Sequence, residues 1–187
     1  MIEPTTVFLD CQLRAAQVRT RYMSQTNPYD KFLDGQEPLR VLASTARRLE
    51  KLVDELGPQR AGAAPAPGKW SAREILCHLA DCEIAFAFRF RQALGENNHV
   101  IQPFDQEKWA ANYSAYEMRD ALTTFGAVRN WNLVLLRSLS PEVHAKPLSH
   151  PERGAMTFYT IVETMAGHDL NHLEQLEAIA KKFAPAH

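Results

Sequence analysis

The chain has 187 residues, of which 45% are hydrophobic, and its formal net charge is −1. This length supports a single domain with one sizeable core. The balanced charge gives no electrostatic reason to expect a nucleic acid or an anionic membrane surface as a partner. The three cysteines are odd in number and none has CxxC spacing, so neither a disulfide framework nor a zinc knuckle is supported.

The N-terminal part of the chain, residues 1–37, is predicted to be an extension of the main domain at residues 38–187. Residues 5–22 have a helix-compatible sequence, and Met23 is a candidate alternative start. The chain has no apolar run long enough to cross a bilayer, and its first residues lack the basic start and apolar core of a signal peptide. We therefore expect a cytoplasmic protein and place no function in the extension.

The first two predicted helices have clear boundaries. The first covers residues 38–56, with Pro38 in its first turn, a stripe of apolar residues, and Gly57-Pro58 as its end. A Pro/Gly/Ala-rich loop follows. The second begins at a capping box formed by Ser71 and Glu74 and runs to about residue 94. It carries His78 about two turns from its start.

The third predicted helix begins at a second S-x-x-E capping box, Ser114 to Glu117, and its apolar pattern continues through Trp131 towards Pro141. The connection before it, residues 95–113, spans about 60 Å when extended, which permits a crossover instead of a tight antiparallel turn. The fourth helix covers about 157–182. Residues 145–156, before it, are predicted to form a short hairpin or an irregular loop.

Two histidines of the fourth helix, His168 and His172, share its apolar stripe. Their four-residue spacing places both imidazoles on one face, one turn apart, where both can reach a single metal ion. His78 on the second helix is the candidate third ligand. Three neutral imidazoles leave a coordination position open for water or substrate. The alternative is that these side chains are hydrogen-bonded or half-exposed polar residues of a bundle.

Several neighbours of these histidines have two interpretations. Cys82, one turn after His78, is either a fourth ligand or, as we prefer, a small buried hydrophobe. Asp81 or Glu74 is a candidate acceptor for an imidazole N–H. The charged residues of the second helix are otherwise expected to pair at the surface, and Asp169 is expected to be solvated. This charged set consists of Asp81, Glu83, Arg89 and Arg91.

The pattern W-S-x-x-E-x-x-x-H-L-x-D-x-E at residues 70–83, followed about ninety residues later by H-x3-H, resembles the DinB-like superfamily, in particular the branch of the YfiT-type metal-dependent hydrolases. The resemblance covers about residues 38–182. It implies an all-α fold, a four-helix bundle with a long crossover between the second and third helices. It also implies that His78, His168 and His172 bind a divalent metal ion, with nickel and zinc the first candidates. Some relatives use a low-molecular-weight thiol as cosubstrate.

These observations favour a metal-dependent enzyme, either a hydrolase or a thiol-dependent S-transferase, that acts on a small molecule. The two activities differ in whether water or a thiol occupies the open position. No catalytic residue beyond the metal ligands is assigned. The alternatives are a stress-associated metal-binding protein without turnover and a metal-free helical interaction module. A homodimer is a further expectation that no feature of the sequence decides.

Overall fold

The computed structural model describes residues 27–184, and in that range the chain forms a four-helix bundle with a small sheet at one end. The all-α prediction is confirmed, whereas the candidate helix at residues 5–22 lies outside the described residues. The helices are α1 (Asp30–Leu33), α2 (Pro38–Ala61), α3 (Ala72–Gly95), α4 (Gln106–Ala110), α5 (Met118–Ser138) and α6 (Phe158–Lys182), and the strands are β1 (His99–Val100), β2 (Pro147–His150) and β3 (Gly154–Thr157).

The four long helices, α2, α3, α5 and α6, are arranged in a ring in which α2 and α3 lie diagonally opposite each other. Helices α3 and α5 are neighbours and run parallel. Tyr113, just before α5, donates a hydrogen bond to Asp81 in the first half of α3, and Arg91 in the second half of α3 reaches Asn132 in the second half of α5. Two parallel neighbours require a long connection, so the predicted crossover between the second and third long helices is confirmed.

Helices α3 and α6 run antiparallel, which brings the histidine-bearing segments together. The Phe90 ring near the end of α3 lies 5.6 Å from the Phe158 ring at the start of α6, and both side chains are fully buried. His78, twelve residues before Phe90, is therefore placed opposite the middle of α6. This packing brings a histidine of one helix to the pair on the other.

Two predicted boundaries differ from the structure. Helix α2 extends past the predicted end to Ala61, with a kink at Gly57, whose φ of 66° suits glycine. Helix α5 begins at Met118 and not at the predicted capping box, because Ser114 lies in a short 3₁₀ helix and Glu117 caps α5 with its backbone alone. Trp131, predicted on the apolar face of this helix, is 68% exposed.

The sheet joins the bundle connections at one end. Strand β2 pairs with β3 as an antiparallel hairpin and with β1 in parallel. Of the two alternatives predicted before the last helix, a short hairpin or an irregular loop, the hairpin is therefore present. It leads directly into α6, whose first residue donates a backbone hydrogen bond to the carbonyl of Lys146. Within residues 27–184, no helix is sufficiently long and apolar to span a membrane.

Candidate metal centre

The three predicted ligands, His78, His168 and His172, converge in the middle of the bundle. The Nε2 atom of His168 lies 3.0 Å from Nε2 of His78 and 3.1 Å from Nε2 of His172. All three side chains are buried, with exposed fractions of 2% to 6%. The structure thus brings together the residues that the sequence predicted to share one site.

Each histidine-bearing helix begins at a capping box, and the box of α3 is the one predicted from the sequence. The Ser71 side chain accepts the backbone N–H of Glu74, and the Glu74 carboxylate accepts the N–H of Ser71, which completes the capping box. Helix α6 has an equivalent box between Thr157 and Thr160. Both caps stabilise the backbone upstream of the imidazoles and define where each helix begins.

The imidazoles of the cluster are held neutral by burial. Burial, together with the neighbouring His172, lowers the pKa of His78 to about 3. The pKa of His168 lies well below its usual value for the same reason, with both neighbouring imidazoles adding to the effect, and burial also lowers that of His172. Neutral imidazole is the form that binds a metal ion, so the cluster is ready for ligation at neutral pH without loss of a proton.

Hydrogen bonding alone does not satisfy this cluster. A neutral imidazole nitrogen has either one proton or one lone pair, so Nε2 of His168 can serve only one of its two Nε2 neighbours. A divalent cation would use all three lone pairs. With Zn–N bonds of 2.0–2.1 Å, two nitrogens in tetrahedral positions lie about 3.3 Å apart, close to the observed spacings. The residues present therefore fit a divalent metal ion.

Cys82 lies against the same cluster. Its Sγ atom is 3.5 Å from Nε2 of His78 and 3.8 Å from Nε2 of His168, and burial raises the pKa of the thiol. Two candidate donor sets therefore share His78 and His168. In the set completed by the Cys82 sulfur, all three ligand atoms lie within 4.8 Å of one another. The set completed by His172 is joined by the 3.1 Å contact between Nε2 of His172 and Nε2 of His168. The preference for a buried hydrophobe at this position describes the burial of Cys82 but not its contact with both imidazoles.

The outer partner of the cluster differs from the two that were predicted. Gln175 places its side-chain oxygen 3.1 Å from Nδ1 of His172, so Nδ1 carries the proton and Nε2 keeps its lone pair. Asp81 instead accepts the hydroxyl of Tyr113 at 2.9 Å, and Glu74 belongs to the capping box. Gln175 follows His172 by three residues, a spacing that could have indicated the contact.

A buried ion-pair network lies beside the cluster, and its composition corrects two predictions. Glu83 and Asp169, expected to be a surface residue and a solvated residue, are each 1% exposed. Arg129 of α5 binds both carboxylates and the carbonyl of Leu42 on α2, and these bonds use all five of its N–H donors. Burial acts to lower the pKa of Arg129, but Asp169 and Glu83 outweigh it and raise the pKa, so the guanidinium stays charged.

The N-terminal segment before α2 also contacts the cluster, although we placed no function there. The Tyr29 ring meets the His168 ring edge-on at 5.1 Å. A second aromatic residue, Trp70 just before α3, places its ring 4.9 Å from that of His78. Tyr29 approaches because Gly167 of α6 has no side chain. A Cβ atom at that position would stand 2.6 Å from the Tyr29 carbonyl oxygen.

Replacing this glycine tests how the segment is held. In a helix interior, Gly→Ala normally stabilises by about 1 kcal/mol. We expect Gly167→Ala to lower the free energy of unfolding instead, because the Tyr29 backbone must move away from α6. Gly126→Ala in α5 is the matched control, since an added Cβ there meets no atom within 4 Å. In urea unfolding, the free energy of unfolding should fall for Gly167→Ala and rise for Gly126→Ala. Equal stabilisation of the two variants would contradict the close approach of Tyr29 to Gly167.

The cluster also predicts how stability changes with pH in the metal-free protein. The folded-state pKa of His78 is about 3, against an ordinary 6.5, so the unfolded chain binds more protons between these values. Stability is then fully present above about pH 6.5 and is lost as pH falls, by up to about 1.4 kcal/mol per pH unit for this residue. Urea unfolding at pH 7 and pH 5 should show a smaller loss for His78→Gln than for the wild type. An equal loss would mean that His78 is not held neutral.

The remaining histidines within residues 27–184 lie away from the cluster. His99 bonds Glu96 at 2.6 Å, the His144 ring packs against Tyr159, and His150 accepts the backbone N–H of Glu152. Each of the three therefore has a local partner.

The chain is similar in sequence to proteins of one superfamily. A sequence model of the DinB superfamily matches residues 42–176. A protein of Oceanobacillus iheyensis named "putative metal-dependent hydrolase" is 27% identical over 169 residues, which cover 86% of this chain and 98% of the relative. A Bacillus cereus protein with the same description is 27% identical over 136 residues, which cover 72% of this chain and 79% of the relative.

Two solved structures share the fold. YfiT from Bacillus subtilis, described as "a probable metal-dependent hydrolase with an unusual four-helix bundle topology", has a TM-score of 0.73 at 19% identity, covering 84% of this chain and 89% of YfiT. The mycothiol-dependent maleylpyruvate isomerase has a TM-score of 0.55 at 14% identity, covering 81% of this chain and 61% of the isomerase. At these identities the likeness concerns the fold alone.

Proposed function

The chain belongs to the DinB superfamily, and from this membership and the buried histidine cluster we propose that it is a metal-dependent hydrolase that acts on a small molecule. His78, His168 and His172 are the proposed ligands of one divalent ion. The observation that supports this most strongly is the convergence of three neutral Nε2 atoms at spacings of 3.0 and 3.1 Å. Zinc and nickel are the proposed metals, because both accept imidazole nitrogen and the Cys82 sulfur would suit either.

A divalent ion bound there would supply Lewis acidity and would lower the pKa of a water or thiol at its open position. The protein's own residues prepare the site for that chemistry. Burial keeps the imidazoles neutral, and Gln175 orients His172 so that its lone pair faces the cluster. The Tyr29 ring packs against His168 and the Trp70 ring against His78. These two rings limit access of bulk water and offer apolar contact to a substrate.

Thiol transfer is the second candidate reaction. It is favoured by the structural likeness to an isomerase whose name states dependence on mycothiol. The same three histidines would serve, with a small thiol taking the position that water takes in hydrolysis. The two reactions therefore predict the same metal dependence but different requirements for cosubstrate.

Turnover assays separate these candidates. The metal-loaded protein would be screened with ester, amide and thiol-acceptor substrates, with and without a low-molecular-weight thiol. Hydrolysis predicts thiol-independent activity that is lost on chelation and restored by metal, and transfer predicts the same pattern only when thiol is present. His168→Ala should be inactive and His144→Ala, outside the cluster, should be active. Bound metal without any turnover would contradict both reactions and favour a metal-binding protein.

A further inference from the structure

Arg89 continues the histidine-bearing stripe of α3 beyond the metal centre. It follows His78 and Cys82 at eleven and seven residues, spacings that keep the three on one side of the helix. Its guanidinium carbon lies 5.6 Å from the centre of the Phe86 ring and 5.5 Å from that of Phe104. The Phe86 ring in turn lies 6.3 Å from the ring of His168. Arg89 is therefore separated from the cluster by a single aromatic side chain.

This guanidinium is partly buried without an anion. Within residues 27–184, Arg89 forms no ion pair with a carboxylate. The hydrogen bond from its side chain to the Gln102 carbonyl is long, at 3.4 Å. Its two aromatic neighbours offset part of the cost of leaving water. The contrast with Arg129 is direct, because that buried guanidinium has two carboxylates.

Positive charge is concentrated on this side of the site. Arg153, exposed in the β2–β3 turn, adds to burial in lowering the pKa of Arg89. Two guanidinium groups therefore lie near each other on this side of the site, which favours an incoming anion over a neutral or cationic molecule.

We propose that Arg89 anchors a carboxylate or phosphate group of the substrate while the reactive part of that substrate lies at the histidine cluster. The forked guanidinium can donate two parallel hydrogen bonds to either anion. The Phe86 ring lies between the two positions, 5.6 Å from the Arg89 guanidinium carbon and 6.3 Å from the His168 ring, so the segment that joins them would pass an apolar side chain. The substrate class is thus an anionic small molecule whose charged group is set apart from the bond that reacts. This inference rests on the proposed function, since it takes the metal centre as the reactive position.

Matched hydroxamates test the inference without knowledge of the substrate. The hydroxamate group chelates a site-bound metal, and three tails are compared at several chain lengths: a carboxylate, a phosphonate and an uncharged alkyl group. Titration calorimetry on the zinc-loaded protein should show at least about tenfold tighter binding of an anionic tail than of the alkyl tail. Whether carboxylate or phosphonate binds more tightly identifies the anion.

Arg89→Met should abolish that preference and leave binding of the alkyl hydroxamate unchanged. Arg47→Met, which removes the same charge from the exposed face of α2, should retain the preference. Equal binding of all tails by the wild type would overturn the inference while leaving the metal centre intact. An Arg89→Met variant that loses affinity for every tail alike would overturn it as well. Failure to bind zinc or any hydroxamate would instead refute the proposed function and the inference together.

Discussion

His168→Ala is expected to abolish stoichiometric binding of zinc or nickel, together with the stabilisation that the metal gives the folded protein. Nε2 of His168 is the atom that contacts both other imidazoles, at 3.0 and 3.1 Å. The substitution therefore removes the ligand atom that lies between the other two. A metal at one hundred times its dissociation constant stabilises a folded protein by about 2.7 kcal/mol. For a chain of this length, that gain corresponds to a rise in melting temperature of about 5–10 °C.

The measurement combines metal content and stability. Untagged protein would be assayed for bound metals by mass spectrometry, and thermal unfolding would be followed with and without added zinc or nickel. The wild type should contain metal and show the shift, and His168→Ala should do neither. A variant that keeps the full shift would show that the metal binds elsewhere on the chain.

Cys82→Ala is the companion variant that distinguishes the two donor sets. If the three imidazoles are the ligands, this variant keeps its metal and most of the shift, because the sulfur only lies beside them. If metal is lost as completely as in His168→Ala, then His78, Cys82 and His168 form the donor set. Either outcome leaves His168 as the shared ligand.

The parts of the structure that could be predicted from sequence are those that depend on local patterns. The start of α3 follows from the reciprocal hydrogen bonds of Ser71 and Glu74, which involve residues three apart. The face of α6 that carries His168 and His172 follows from helical periodicity alone. Even the crossover was permitted by the length of the connection before α5.

The start of α5 shows where local pattern is insufficient. Ser114 and Glu117 have the spacing of a capping box, yet Tyr113 is drawn into the core, where it is 2% exposed and its hydroxyl reaches Asp81. The chain therefore turns through a 3₁₀ helix before α5 begins. A tertiary contact outweighed the local capping signal, and a single sequence does not show which partner that contact will have.

The site could be predicted to the extent that its members lie on periodic helix faces. Tyr29 was missed because its approach depends on a glycine that is distant in sequence, Gly167. Asp169 was missed because a carboxylate next to a histidine has the same pattern whether it is solvated or bound by a distant arginine. Only the packing of α5 between α2 and α3 reveals that the arginine is Arg129.

Arg129→Met is expected to lower the free energy of unfolding by about 3–5 kcal/mol. The substitution preserves much of the side-chain volume but leaves Glu83 and Asp169, each 1% exposed, as buried carboxylates without their cation. A typical domain has only about 5–15 kcal/mol of stability in total, so this variant should be close to unfolding at physiological temperature. Urea unfolding at pH 7 measures the loss.

The charge explanation can be separated from loss of packing by removing all three charges. The triple variant Glu83→Gln, Arg129→Met and Asp169→Asn has nearly the same shape but no buried ion, so it should recover part of the stability lost in Arg129→Met. If the triple variant is less stable still, the hydrogen bonds of the network rather than its unpaired charges dominate. Because Asp169 directly follows His168 in sequence, Arg129→Met is also expected to weaken metal binding. The triple variant should then recover metal binding together with stability, which would link the network to the position of the ligand.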